Sequence, residues 1–434
     1  MYNSRNETGN ADADAGIGAA GKSSLLREAV LAIHCARHSS IHKLLVLRKG
    51  QDAIMNPKKR IYSLPYNGTN PEWFLQEAEK RKAHLDHVYC ELPLSESAMF
   101  SHVRFLFDGK KDVDGNREDK TAPGDANRKP GSGNTDRKPD PEKTNRKRAN
   151  YVKNCAEFLR TSKGKVRRVC PVNAMYYKYD TEEELKDFVI TLAKAANYYQ
   201  LEGFILSDYR MAVLLHALLP ELEIHTSCNA YQWNKRQMEI WREKCGATVF
   251  NPPREILRMP SKLKEMHEAG YKLKCLINEG CLMGCPNSFN HNLSIAMSCG
   301  APVLSCCQNG IADLFRANWI LPRWQKHYDE YVDIYKIAGR NSAGDYPFKC
   351  MDAYLTENND MSLSELMISG TIMFAHRMLP EEILQKITID KVPDKLLTCE
   401  CSECGQCKLC HTILASLIPE EYHSRFVFKV KVTE

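Results

Sequence analysis

Short apolar runs alternate along much of this chain with longer stretches in which apolar residues recur at helical spacing. The runs read as strands at Leu44–Leu47, His87–Cys90, Phe204–Leu206, Glu223–His225, Thr248–Phe250, Lys274–Ile277, Pro302–Leu304 and Asp333–Ile337. Between them, Pro71–Lys82, Tyr209–Leu218, Asn234–Lys244 and Ser261–Ala269 carry a helical pattern. Strands separated by single helices imply βαβ units and a parallel sheet. About eight such units would close an α/β, TIM-barrel-like (β/α)8 core with functional residues at the C-terminal ends of its strands. An open doubly wound sheet is the alternative architecture.

Two polar segments interrupt this pattern. Residues 1–25 read as a disordered lead, polar from the start and without the apolar stretch of a signal peptide. Within the lead, Gly16 to Ser23 fits the P-loop pattern G-x-x-x-x-G-K-S. The residues before it cannot form the buried strand that holds a phosphate cradle, so nucleotide binding is not expected there. Residues 109–150 are Lys, Arg, Asp, Gly, Pro and Asn with almost nothing apolar, and read as a disordered charged insertion in the domain 26–360. The basic run Arg146–Arg148 permits contact with RNA, although a solvated charged loop is the readier explanation. The remainder, 361–434, reads as a helical, cysteine-rich extension, with Leu363–Ile387 helical in pattern.

The chain has 434 residues, 18 of them cysteine, and a net charge of +6. No stretch reaches the ~18–20 apolar residues of a membrane span. A long chain without a secretory opening is expected in the cytoplasm, where crowded thiols serve as metal ligands or redox groups rather than disulfides.

Three constellations carry candidate chemistry. Cys281-Leu-Met-Gly-Cys285-Pro286 directly follows the strand Lys274–Ile277; the C-x3-C spacing lets both thiolates face one metal centre, with Gly280 and Gly284 permitting close approach of the backbone. Two thiolates cannot fill a site, so Cys306, Cys307 and Cys350 are candidates to complete it, with Cys299 a weaker one. The C-x3-C-x2-C spacing of radical-SAM enzymes is not met, because Ser288 occupies its third position. Next, Cys399, Cys401, Cys404, Cys407 and Cys410 form a compact run suited to a [4Fe–4S] cluster or to zinc. Finally, Arg254 and Glu255 after one strand, and Lys336 and Arg340 around another, offer acid–base chemistry and anion binding. The same charges could simply pair at a barrel rim. Neither a Ser-His-Asp set nor an H-E-x-x-H motif stands out.

These segments, in this order, resemble peptidase family U32, the collagenase-like and oxygen-independent hydroxylase-type iron–sulfur proteins. The run IHTSCNAYQWNKRQMEIWREKCGATVFNPPREI carries the resemblance, together with VDIYKIAGR, which looks like the family's Lys-Ile-x-Gly-Arg signature. The likeness extends over roughly residues 61–355. It implies a TIM-barrel-like core with a [4Fe–4S] cluster on four cysteines, in a family that includes nominal proteases and hydroxylases of RNA or a quinone precursor. The family's GRC and RGxCxQxCR stretches are not found, and CLMGCP stands in their place. The resulting expectation is an iron–sulfur enzyme that hydroxylates or otherwise redox-modifies an RNA, peptide or small aromatic substrate, itself anionic. One cluster, or two, would be present. Cys281 and Cys285 with Cys306, Cys307 or Cys350 would hold the first; Arg254, Glu255, Lys336 and Arg340 would act on substrate. The alternatives are a peptidase, or a non-catalytic RNA- or protein-binding module with structural zinc. A partner subunit could complete the site in either case.

Overall fold

The computed structural model describes residues 58–94, 141–177, 179–296, 310–397, Cys399 and 407–422. All but Lys58 fall in one unit, Lys59–Glu434. In chain order the strands are β1 (Tyr62–Pro65), β2 (Leu85–Tyr89), β3 (Arg168–Val172), β4 (Gly203–Leu206), β5 (Glu223–Thr226), β6 (Ala247–Val249), β7 (Lys274–Leu276), β8 (Asn278–Leu282), β9 (Ala317–Trp319) and β10 (Ile334–Lys336). Eight of them form one sheet in the order β6-β5-β4-β3-β2-β1-β10-β7, every pairing parallel. The edge strands meet through a parallel bridge between Phe250 and Leu273, where Phe250 N donates to Lys272 O at 2.8 Å and Lys274 N to Phe250 O at 2.8 Å. The sheet therefore closes into a (β/α)8 barrel rather than lying open. β8 and β9 form a separate antiparallel pair.

Strands covered on both faces need few polar residues, and β1, β3 and β4 are buried along their whole length. Leu64, Val88, Cys170, Phe204 and Ile224 join the core beneath the helices. Those helices are α1 (Pro71–Lys80), α2 (Pro141–Thr161), α3 (Glu182–Tyr199), α4 (Tyr209–Leu218), α5 (Lys235–Cys245), α6 (Pro260–Glu268), α7 (Ser288–Ala296) and α8 (Tyr346–Thr356). Their starts follow local chemistry. Thr181 and Glu184 form a reciprocal capping box on α3, Asp208 caps α4, and Asn234 caps α5.

Several expectations change. β1 and β3 were not legible as strands, while Leu44–Leu47, Pro302–Leu304 and the Gly16–Ser23 motif lie outside the described residues. α2 begins at Pro141, inside the segment 109–150 that read as structureless. Its C-terminal half is anchored by buried Cys155, Phe158 and Leu159, and its first half carries two lysines and two arginines, which tolerate helix well. The helical pattern over Leu363–Ile387 is divided into α9 (Leu363–Leu366), α10 (Thr371–Met378) and α11 (Glu381–Leu384). The division has a tertiary cause: Ile368–Gly370 runs against β8, with Ile368 N donating to Asn278 O at 3.0 Å and Gly280 N to Ile368 O at 2.8 Å. A last helix, α12 (Leu409–Leu417), follows.

The C-terminal region is tied to the barrel by Arg258. Its guanidinium is buried against the faces of Trp319 and Trp324, 5.5 and 5.7 Å from the ring centroids. It donates to Phe315 O at 3.0 Å, to Ala317 O at 3.3 Å and to Leu396 O.

Candidate active site at the barrel mouth

The barrel interior is unusually polar. His87 of β2 and His225 of β5 meet with ring centroids 5.1 Å apart, and Lys274 of β7 reaches His225 Nδ1 with its Nζ at 2.8 Å. These strands are not neighbours in the sheet, so the side chains meet across the interior. Toward the N-terminal ends of the strands, His225 Nε2 lies 3.0 Å from Glu223 Oε2 and His87 Nδ1 lies 2.6 Å from Asp86 Oδ2. Arg167 joins the two carboxylates, at 2.5 Å from Glu223 and 3.1 Å from Asp86. Burial, then the Lys274 charge, lowers the His87 imidazole to about 3, against the pull of Asp86. Burial likewise drives His225 and Lys274 toward their neutral forms.

One part of this network was missed in the sequence. Ser63 Oγ lies 2.8 Å from His87 Nε2, which completes a Ser63–His87–Asp86 line with the connectivity of a catalytic triad. Ser63 and His87 come from paired positions of adjacent strands, and no sequence spacing announces that.

Above this layer, the C-terminal strand ends gather the mouth. After β6, Pro253 leads into a turn Arg254–Ile256. Arg254 pairs through Nε with Glu279 of β8, and its Nη1 donates to Asn229 Oδ1 at 3.1 Å. Asn229, after β5, donates to Asn173 O at 3.0 Å, after β3. Burial works against the Arg254 charge, but Cys228, Glu279 and Cys281 nearby outweigh it and hold the guanidinium protonated. Glu255 is buried: Oε1 accepts from Ser288 Oγ at 2.7 Å, while Oε2 has no hydrogen-bond partner among the described residues. Asn251, buried at the same strand end, leaves both side-chain amide atoms unpartnered among the described residues. Such groups are ordinarily satisfied by water or ligand.

Lys336 ends β10 and is 6% exposed, its Nζ 4.6 Å from the centre of the Tyr89 ring. Burial lowers its amine to about 8; Arg340 and Arg254 push the same way, Cys228 and Glu279 the other. Tyr89 in turn donates to Ile337 O at 2.5 Å. Between Lys336 and Arg340, Gly339 has φ +134°, and a Cβ there would lie 2.7 Å from Tyr346 Cε1. Tyr346 cannot easily yield, because its hydroxyl donates to Leu366 O at 2.9 Å and accepts from Asn278 Nδ2 at 2.9 Å. The backbone between Lys336 and Arg340 therefore requires glycine at position 339.

Arg254, Glu255, Lys336 and Arg340 thus all belong to one end of the barrel. The cysteines are distributed differently. Cys281 sits in β8 itself, not on a loop, and Cys285 lies in the turn before α7; both are half-buried. Gly280 does not face them: a Cβ there would lie 2.3 Å from Ser369 O, so this glycine serves the contact with Ile368–Gly370. Cys350 is fully buried in α8, its Sγ 3.6 Å from Asn278 Nδ2 and 3.8 Å from Leu366 O, and burial raises its thiol. Cys299, Cys306, Cys307, Cys401 and Cys404 lie outside the described residues. Cys399 N donates to Leu396 O at 3.3 Å, Cys407 precedes α12, and Cys410 is buried within it. Among the described residues, no three His, Cys, Asp or Glu side chains form a metal-binding group, and no helix is long and apolar enough to cross a membrane.

Parts of the chain are similar to known proteins. Residues 145–278 match the sequence model of peptidase family U32. A protein of Methanocaldococcus jannaschii named as an uncharacterized protease is 30% identical over 200 residues, which cover 43% of this chain and 59% of that protein. The chain thus spans less than two thirds of that relative's length. Among solved structures, the U32 peptidase Mk0906 aligns with a TM-score of 0.33 at 14% identity, over 42% of this chain and 74% of that one. The carboxyl transferase domain of Rhizobium etli pyruvate carboxylase aligns with a TM-score of 0.25 at 11% identity, over 85% and 68%. The family match runs from α2 to the start of β8, taking in the five strands β3–β7 and the turn that carries Arg254 and Glu255. Over that segment, this chain is similar to peptidase family U32.

Proposed function

We propose that this protein is a U32-type iron–sulfur enzyme that binds an anionic substrate in the barrel mouth and modifies it by redox chemistry, hydroxylation without oxygen being the leading reaction. The observation that carries the reading is the charge at the mouth. Arg254, Lys336 and Arg340 collect there against two carboxylates, Glu279, which pairs with Arg254, and the buried Glu255. A site with that surplus of cations, largely shielded from water, favours a carboxylate or phosphate.

The donor set fits a cluster in part. Cys281 and Cys285 are soft ligands at C-x3-C spacing on one β-strand and its following turn, and the Arg254 guanidinium lies within electrostatic reach of Cys281. Cys306 and Cys307 would supply the two remaining ligands. Cys350, already hydrogen-bonded in the core, is a poorer choice than its position in the sequence suggests. A bound cluster would supply electrons one at a time. Arg254 and Arg340 would orient the substrate's anion, Lys336 would meet its polar group, and Glu255 Oε2 would accept or return a proton.

A peptidase reading has one feature in its favour, the Ser63–His87–Asp86 line. Ser63 and His87 are 0% exposed, however, and an imidazole with a proton affinity near pH 3 is a weak general base at neutral pH. That line supports the fold better than it supports hydrolysis.

Purification without oxygen, followed by iron, sulfide and zinc analysis of wild type, Cys281→Ser and Cys404→Ser, tests the proposal. A brown protein whose iron falls in Cys281→Ser supports it. A colourless protein holding stoichiometric zinc and no iron overturns it in favour of a structural metal.

A further inference from the structure

Lys336 stands out from the other cations of the mouth. Arg254 has both an acidic and an amide partner, whereas among the described residues Lys336 Nζ has only the face of Tyr89, at 4.6 Å. It ends a barrel strand, where a TIM barrel presents its reactive groups, and it is buried almost completely. A second buried amine, Lys274, lies deeper in the barrel and is itself held by His225. Among the described residues, Arg254 and Arg340 oppose its charge, Glu279 and Cys228 favour it, and Lys274 is a further amine within electrostatic reach. Desolvating an amine and placing it beside other cations is the recurring way proteins raise a lysine's neutral, nucleophilic fraction near neutral pH.

We propose that Lys336 is an amine nucleophile that forms a Schiff base with an aldehyde or ketone substrate, the neighbouring arginines selecting a carbonyl compound that also carries an anionic group. The choice of an anionic partner rests on the reading of the mouth given above; the reactivity of the amine does not. In the reaction, the Lys336 nitrogen adds to the carbonyl carbon and its proton passes to the carbonyl oxygen. The resulting carbinolamine takes one proton from solvent and loses its oxygen as water, leaving an iminium. No oxidant or reductant is needed, and water reverses the sequence. Tyr89 would form an apolar floor that keeps bulk water from the iminium.

The bias is substantial. Set against an ordinary lysine at 10.5, an amine lowered to about 8 holds on the order of 10² times more neutral form at pH 7. Restricted access to a buried group takes back part of that advantage.

The test uses the full chain at pH 7 with sodium cyanoborohydride and either glyoxylate or acetaldehyde, followed by peptide mapping of the reduced adducts. Lys336 should be labelled at least about tenfold faster than the exposed Lys186 and Lys349, given the neutral-amine advantage, and Lys336→Arg should lose the early adduct while keeping its circular dichroism. Site mapping in wild type decides the matter even if that variant folds poorly. Labelling of Lys336 no faster than of Lys186 and Lys349 overturns the proposal. Glyoxylate should react at lower concentration than acetaldehyde. If the two label Lys336 equally, the nucleophile stands and the anion site fails; if phosphate binds at the mouth and Lys336 stays unlabelled, the reverse holds.

Discussion

Replacing His87 by glutamine isolates one titrating group inside the barrel and makes its cost measurable. In the folded protein burial lowers His87 to about 3, while an imidazole in the unfolded chain titrates near 6.5. Between those values the unfolded chain binds a proton that the folded chain does not, so stability is full above pH 6.5 and is lost as pH falls toward 3. Integrated from pH 7 to pH 5, that difference removes about 2 kcal/mol through His87 alone. Full burial of the ring means that solvent screening does not shrink the figure. His225 shifts in the same direction and adds to the loss. Asp86, lowered to about 2 because His87, Arg167 and Lys272 outweigh its burial, titrates below this window and does not confuse it. Glutamine keeps a hydrogen-bonding group between Ser63 and Asp86 but cannot take up a proton. Urea unfolding followed by circular dichroism at pH 7 and pH 5 should show the pH-dependent loss in the variant smaller by about 2 kcal/mol than in wild type. An identical loss in the two proteins would mean that His87 is protonated in the fold, and the account of a neutral interior would fail.

Lys274 gives the alkaline counterpart: its folded amine titrates below the unfolded value of 10.5, so wild type should gain stability as pH rises toward 10.5. Urea unfolding of Lys274→Met should show that gain flattened, and an unaltered alkaline rise would count against a neutral Lys274. Gly280→Ala should cost about 2 kcal/mol or more, because the new Cβ meets Ser369 O at 2.3 Å and both partners are backbone; a melting temperature equal to wild type would contradict the close approach. Arg258→Met retains an apolar stem between Trp319 and Trp324 but strands three carbonyls, at a cost of about 3 kcal/mol. Limited proteolysis should then cut the region after Leu379 sooner than in wild type, and equal protection would show that Arg258 is not its anchor.

The barrel strands after residue 200 were readable because β-rich runs such as Phe204–Leu206 stand between helices with their own caps, Asp208 and Asn234 among them, whereas the outlying pair β8 and β9 was not. β1 and β3 escaped because YSLP and RVCPV contain polar residues and proline, and their burial depends on what surrounds them. Arg254, Lys336 and Arg340 were legible as charges next to strand ends. Their grouping at one mouth was not, because it requires the ring to close between Phe250 and Leu273. The role of Gly280 was misjudged for the same reason: its neighbour Ser369 is remote in sequence.

The sequence by itself determined the alternation of strand and helix, the caps that start α3, α4 and α5, and the identity of the charged and sulfur-bearing residues, since each depends on contacts within a few positions of chain. Closure of the barrel decided the rest. It brought His87, His225 and Lys274 together from separate strands, took them out of water and so changed their protonation. Desolvation is a property of the assembled interior, and no local pattern of residues encodes it.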